Sequence, residues 1–253
     1  MDRLGKVIVF DDKGSLVAHA IALWKKICAE SIADRGYMAA ALSGGRTPVD
    51  LYRALAEEVK SLPWEMIHFF LVDERFVPRN DRDSNYGMIL KTLLEVSPIP
   101  EENIHPIDTG ASGPDEAARK YEEEMIRFFR LSPGSLPRFD LIMLGLGEDG
   151  HIASLFPESP ALHELNRLSM AATPGGTLHN RITLTMSVIN NGRHIVFLIE
   201  GINKAAVLRK VVQEADPLLP ASQIEPVAGD LLFLADRDAA GLLSNDFYQA
   251  GGL

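Results

Sequence analysis

The chain predicts an α/β fold, a doubly wound and mostly parallel sheet with helices on both faces. Two observations carry that expectation. Short apolar runs alternate with amphipathic stretches from one end to the other. Several of those runs break off into polar turns: Ser43-Gly44-Gly45 after 37–42, Asp73-Glu74-Arg75 after 68–72, and Gly145 to His151 after 141–144. The last run is continuously apolar and bounded by glycines, the signature of a strand buried on both faces. Ligands of open α/β sheets bind beyond the carboxyl ends of the strands, so these turns are where function is sought.

Taken in order, residues 6–10 form a first strand. A helix covers 15–33, with Ser15 as N-cap and Leu16, Ala20, Leu23 and Ile27 on its apolar face. Strand 37–42 leads through Ser43-Gly44-Gly45-Arg46-Thr47-Pro48 into a helix over 49–60, whose first turn suits Pro48. Strand 68–72 ends in Asp73-Glu74-Arg75, three charges too costly to bury without a purpose. Residues 78–83 are polar, and Ser84-Asn85 start a helix to about 95. A proline-rich connection over 97–102 precedes a short strand, 104–107, in which His105 is structural. The helix over 114–129 is amphipathic through Ala118, Tyr121, Met125 and Phe128. A linker over 131–138 leads to the central strand, 141–144. Beyond it come strands over 168–172, 181–185 and 194–199, a helix from Gly201 to about 213, a strand over 230–235 and a terminal helix over 238–248. No repeat, low-complexity tract or linker divides the chain. It reads as one α/β domain over 1–253, with room for a small subdomain within about 150–190.

Composition narrows the function classes. Hydrophobic residues make up 46% and charged residues 24%, as in ordinary globular proteins. No apolar run reaches the 18 or so residues of a membrane span, and the start, MDRLGKVIVF, is too charged for a signal peptide. Lys plus Arg number 25 and Asp plus Glu 35, a net charge of −10, which argues against a nucleic-acid partner. A small anion is still admissible, because it needs only a few local cations and a helix N-terminus. A single cysteine, Cys28, in a helical setting excludes an internal disulfide and a cysteine zinc cage, and a cytoplasmic location follows.

Three turns bear chemistry. In Ser43 to Pro48 the glycines free backbone amides, Ser43 and Thr47 offer hydroxyls, and the following helix start favours negative charge, which makes a phosphate cradle. It lacks the Gly-Lys-Ser/Thr of a Walker A loop. Gly145-x-Gly147-x-x-Gly150 matches a dinucleotide fingerprint in spacing only, since Pro157 and Pro160 stop any helix early. What that turn does hold is His151, which exchanges protons near neutral pH, two residues after Asp149. Arg181 heads its strand as a candidate anion anchor. Lys204 falls in the first turn of its helix, where a cation is unhelpful unless it meets an anion.

In this combination and order, Ser43-Gly44-Gly45-Arg46-Thr47-Pro48, Asp73-Glu74-Arg75 with Ser84-Asn85, GLGEDGHIASLFP over 145–157, Arg181-Ile182-Thr183 and Gly201 to Ala205 resemble the 6-phosphogluconolactonases, a branch of the glucosamine-6-phosphate isomerase/lactonase family. The resemblance implies a Rossmann-like sheet sandwiched by helices, no metal or cofactor, and hydrolysis of a small sugar-phosphate lactone, 6-phospho-D-glucono-1,5-lactone, by a monomer or weak homodimer. Deaminases of the same superfamily carry a glutamate five residues after the histidine, where this chain has Phe156, and that favours the lactonase branch. Arg46 and Glu158 stand where many relatives look smaller.

The chemistry then expected is general-base attack on an already activated acyl group. His151 activates water and glycine amides of the 147–150 turn, Gly147 included, receive the oxyanion. Asp149 either orients the imidazole or caps the turn. Asp73 binds sugar hydroxyls or orders its loop. Ser43, Gly44, Gly45, Thr47, Arg75, Asn85, Arg181 and Lys204 make up the substrate and phosphate set.

Overall fold

The structure, a computed structural model, describes residues 5–58, 61–173 and 179–251. Eleven strands and seven α-helices appear among them. The strands are β1 (Lys6–Phe10), β2 (Met38–Leu42), β3 (Ile67–Leu71), β4 (Asp73–Arg75), β5 (Ile104–His105), β6 (Leu141–Leu144), β7 (Ser169–Ala172), β8 (Arg181–Leu184), β9 (His194–Ile199), β10 (Asp230–Asp236) and β11 (Gln249–Ala250). The helices are α1 (Lys13–Arg35), α2 (Pro48–Ala56), α3 (Asn85–Ile89), α4 (Pro114–Phe129), α5 (Met186–Asn190), α6 (Ala205–Val212) and α7 (Arg237–Ala240).

Eight strands form one sheet in the order β11-β1-β10-β9-β6-β2-β3-β5, and every pairing in it is parallel. Burial on both faces explains why β2 and β6 are apolar at every position. Adjacent residues of a strand face opposite sides. Phe69 accordingly stacks on Trp24 of α1 at 6.2 Å, while Phe70 meets Phe128 of α4 at 5.2 Å, so α1 and α4 cover opposite faces. From β2 the chain winds outward to β3, and from β6 it winds the other way to β9. The crevice between β2 and β6 is therefore the topological switch point, the place where such sheets take ligands.

A second sheet was not foreseen. Strands β4, β8 and β7 form a small antiparallel sheet, and Val72 joins it to the large one by donating to the Leu42 carbonyl and accepting from Leu184. Asp73-Glu74-Arg75 is thus a strand, and Asp73 (6% exposed) and Glu74 (1%) are buried.

Other boundaries shift for local reasons. Asp12, not Ser15, caps α1: its carboxylate accepts from the Ser15 amide at 2.8 Å, while the Ser15 side chain closes the reciprocal half of a capping box. Helix α2 stops at Ala56, short of the expected 60, and Lys60 lies outside the described residues. The helix from Ser84 changes into a π turn over Leu90–Leu94. The terminal helix shrinks to α7, followed by a 3-10 turn at Asn245–Phe247 and by β11 on the edge beside β1. His105 is structural as expected, stacked on Phe70 at 4.1 Å and bonded to His68 and Glu124.

Candidate active site

A cleft of about 620 Å³ opens at the carboxyl edge, over the crevice between β2 and β6. The turns after β2, β6, β9 and β10 line it, with one face of the small sheet as a side wall.

The turn after β2 is shaped by close approach. A Cβ on Gly44 would lie 1.8 Å from Asn85 Oδ1, so only glycine leaves room for that side chain, and Gly45 turns with φ +93°. Tyr52 fixes the turn from below, donating its hydroxyl to the Ser43 carbonyl at 2.8 Å. Thr47 occupies the N-cap of α2 without a side-chain cap bond, which leaves the helix start available to a ligand on the cleft side.

The small sheet sorts the charges of Asp73-Glu74-Arg75 by pleat. Register places Asp73 opposite Thr183, Glu74 opposite Ile182 and Arg75 opposite Arg181. Asp73 and Arg75, two residues apart, share the face that lines the cleft. Glu74 points the other way, into the wall, where it accepts from the Asn85 and Tyr86 amides at 2.7 Å and from Ser84 Oγ at 3.0 Å. Burial pushes its pKa up, against those amides, and its work is to hold the loop. Arg75 and Arg181 are a like-charged pair directly across two strands, an arrangement that costs stability unless an anion joins them. Burial and then the neighbouring Arg75 lower the Arg181 pKa.

At the mouth, His151 Nδ1 lies 2.5 Å from Asp149 Oδ1, which also accepts from the His151 amide at 3.1 Å. Burial pushes the Asp149 pKa up, but the His151 amide and imidazole outweigh it and leave the carboxyl below its usual range. The pair depends on Gly147, where a Cβ would fall 2.1 Å from His151 Nδ1. Phe156 packs on the imidazole with ring centroids 4.6 Å apart.

Of the residues expected from sequence, His151, Asp73, Ser43, Gly44, Gly45, Thr47, Arg75, Asn85, Arg181 and Lys204 all line the cleft. Gly147 and Asp149 do not line it and support His151 from behind. The expected oxyanion donors need correction. The Gly147 amide donates to the His151 carbonyl at 2.9 Å and the Gly150 amide to the Gly147 carbonyl at 3.0 Å, so both are committed inside the turn. Lys204 sits at the N-cap of α6, one residue before its first turn. Sequence reasoning missed Lys13, whose Nζ meets Asp50 at 2.6 Å and Glu200 at 3.1 Å on the cleft wall. It also missed Ser154, which donates to Asp73 Oδ2 at 2.6 Å. A lysine just beyond the carboxyl end of β1 was the available signal for the first; nothing local marks the second. Among the described residues no group of three or more His, Cys, Asp or Glu side chains is placed to hold a metal, and no helix is long and apolar enough to cross a membrane.

Known proteins share this fold and much of this sequence. The chain is 43% identical over 236 residues to a protein from Synechocystis sp. named 6-phosphogluconolactonase, covering 92% of this chain and 96% of that one. A namesake from Nostoc sp. is 38% identical over 94% of this chain and 98% of its own. Among solved structures, a 6-phosphogluconolactonase from Trypanosoma cruzi superposes with a TM-score of 0.85 at 31% identity, over 96% of this chain and 98% of that one. Residues 11–233 match the family described as glucosamine-6-phosphate isomerases/6-phosphogluconolactonase. With the cleft at the switch point and relatives matched over nearly their whole length, the chain belongs to the glucosamine-6-phosphate isomerase/6-phosphogluconolactonase family.

Proposed function

We propose that this cleft hydrolyses 6-phospho-D-glucono-1,5-lactone to 6-phosphogluconate, a step of the oxidative pentose phosphate pathway. The observation that carries the mechanism is the 2.5 Å contact of His151 with Asp149 at the mouth of a cleft walled by Arg75 and Arg181. With Nδ1 donating to Asp149, Nε2 keeps a lone pair to accept a proton from water. The hydroxide so formed bonds to C1. The C1–ring-oxygen bond then breaks, and the leaving oxygen takes the proton back from His151. A lactone is activated enough that no covalent nucleophile is required.

The phosphate belongs between Arg75 and Arg181 and beside the Ser43–Gly45 turn, with Lys204 as a further cation. Asp73 meets sugar hydroxyls. The oxyanion draws its donors from the cleft wall, since the Gly147 and Gly150 amides are engaged. Phe156 against the imidazole speaks against aldose–ketose isomerisation, because it cannot carry a proton where a carboxylate would be wanted. We place the enzyme in the cytoplasm; its one cysteine, Cys28, is buried and leaves the fold independent of any internal disulfide, which supports that.

The test is hydrolysis of freshly made lactone, corrected for spontaneous opening, with glucosamine-6-phosphate in parallel. Turnover of the lactone alone is expected; turnover of the amino sugar alone would reverse the assignment. His151→Asn should lower kcat by about 10² to 10⁴, the usual worth of a general base. If His151→Asn keeps most of its turnover while Asp73→Asn abolishes it, the base is Asp73.

A further inference from the structure

Asp73 is the one carboxylate on the cleft-facing side of the small sheet, and its hold on the wall is unusual. It makes no ion pair among the described residues, although Arg75 and Arg181 share its face. Neutral donors hold it instead. Ser154 Oγ donates to Oδ2 at 2.6 Å, and Asn85 Nδ2 reaches Oδ1 at 3.2 Å and the Asp73 carbonyl at 2.9 Å. Ser154 is 0% exposed and reaches Asp73 from a turn 81 residues further on.

That turn is built at a local cost. Ile152 and Leu155 close it with two backbone bonds, of 3.3 and 2.8 Å, and Ala153 is forced to φ +50°, a region non-glycine residues avoid. Strain of that kind persists where the surroundings over-determine it, commonly at ligand clamps. Here the surroundings are a buried hydroxyl aimed at a cleft carboxylate and an amide, Ser154 N, bonded to Thr183 Oγ1 at 3.3 Å. Thr183 is itself the cross-strand partner of Asp73.

We propose that Ser154 is a positioning residue: through Asp73 it fixes the acceptor that orients the hydroxyl-bearing ring of the substrate, and it commits Asp73 to hydroxyl binding in place of proton transfer. An ionised carboxylate offers about four acceptor sites. Ser154 and Asn85 occupy one on each oxygen, and Asp73 itself lines the cleft. The Asp73–Thr183 pair stands one two-residue step, about 7 Å, along the strand from the Arg75–Arg181 pair. A ligand whose hydroxyls lie within one ring's width of its phosphate satisfies both pairs together. The ligand in this inference comes from the lactonase assignment; the Ser154–Asp73 linkage does not.

The experiment is calorimetric titration of 6-phosphogluconate into the wild type, Ser154→Ala, Ser154→Cys, Asp73→Ala and the Ser154→Ala/Asp73→Ala double variant, each checked by thermal melt. Ser154→Ala and Ser154→Cys should both weaken binding about tenfold, since cysteine keeps the volume but is a poor donor. In the Asp73→Ala background Ser154→Ala should add nothing, because its partner is gone. The kcat of Ser154→Ala for the lactone should stay within about threefold of wild type. Effects of the two sites that multiply independently, or a cysteine variant that binds as tightly as wild type, would overturn the linkage. A hundredfold loss of kcat in Ser154→Ala would overturn the assignment of Asp73 to hydroxyl binding. Calorimetry needs no turnover, so a wild type that fails to open the lactone would count against the lactonase assignment while the affinities still decide the role of Ser154.

Discussion

Two clusters of one buried aspartate and two arginines stand at opposite ends of the parallel strands, one complete and one open. At the amino end, Asp140 (1% exposed) accepts from the Ala39 amide at 2.8 Å and Arg35 Nη2 at 2.6 Å, with Arg193 Nε at 3.3 Å. Burial pushes its pKa up, and the amide and both guanidinium groups work against that. At the carboxyl end, Asp73 is held by neutral donors while Arg75 and Arg181 face each other across two strands. Arg75 commits Nη1 to the Asp83 carbonyl at 2.8 Å, and neither arginine makes an ion pair among the described residues. The same residue types therefore do different work. Where every charge has its partner, the cluster staples α1, β2, β6 and β9 together. Where partners are withheld, the cluster waits for a ligand.

Breaking the closed cluster should have the largest effect. Asp140→Ala takes the shared acceptor away from the Ala39 amide and from two guanidinium groups, and breaking such networks costs about 3 to 5 kcal/mol. Urea unfolding should show that loss, while the kcat of the folded fraction stays at the wild-type value. The open cluster should answer the other way. Arg181→Ala should cost about 2 to 5 kcal/mol of substrate binding, read as a raised KM for the phosphorylated lactone, with little change in unfolding. Gly147→Ala sharpens the contrast at the catalytic pair. Its Cβ must displace the half-exposed imidazole, and a misplacement of about 1 Å costs about 10² in rate, so kcat should fall with stability nearly unchanged.

The smallest effect separates two histidine settings. His68, half-buried beside His105, has its pKa pushed down to about 4 by partial burial and then by that neighbour. Its unfolded form takes up a proton below about pH 6.5, before the folded form does. Stability should thus be complete above that pH and decline as pH falls toward 4. His68→Phe, which suits the ring cluster of Tyr37 and Phe128, should flatten the dependence of the urea midpoint between pH 7 and 5. An unflattened profile would assign the acid sensitivity to other groups.

Much of this was legible in the sequence, and the rest had physical reasons not to be. Strands such as 194–199 and helix 114–129 were placed within a residue, because long uniform patterns and Pro114 at the helix start leave little choice. Strand β4 was not, since three charged residues carry no periodicity and their pairing partner lies over a hundred residues away. For the same reason the sequence could not divide Asp73 and Arg75 from Glu74; only the pleat does that. His151, Arg181 and Lys204 stood out because each breaks a local expectation. Ser154 and Lys13 did not, because a serine in a turn and a lysine at a helix start look ordinary until the fold brings Asp73 and Glu200 to them.

The central claim is that the Arg75–Arg181 pair, which makes no ion pair among the described residues, is held open for a phosphate, and a thermal melt tests it most directly. Wild type and Arg181→Ala are melted with and without inorganic phosphate. Without phosphate the variant should melt at or slightly above wild type, since removing one of two opposed like charges returns a few tenths of a kcal/mol, up to about 1. Phosphate should then raise the wild-type Tm as a ligand of the folded state does, and leave the variant nearly unmoved. A variant that melts well below wild type without phosphate, and gains as much from it, would contradict the account: Arg181 would be a structural residue, like Arg35 and Arg193 at the other end of the sheet.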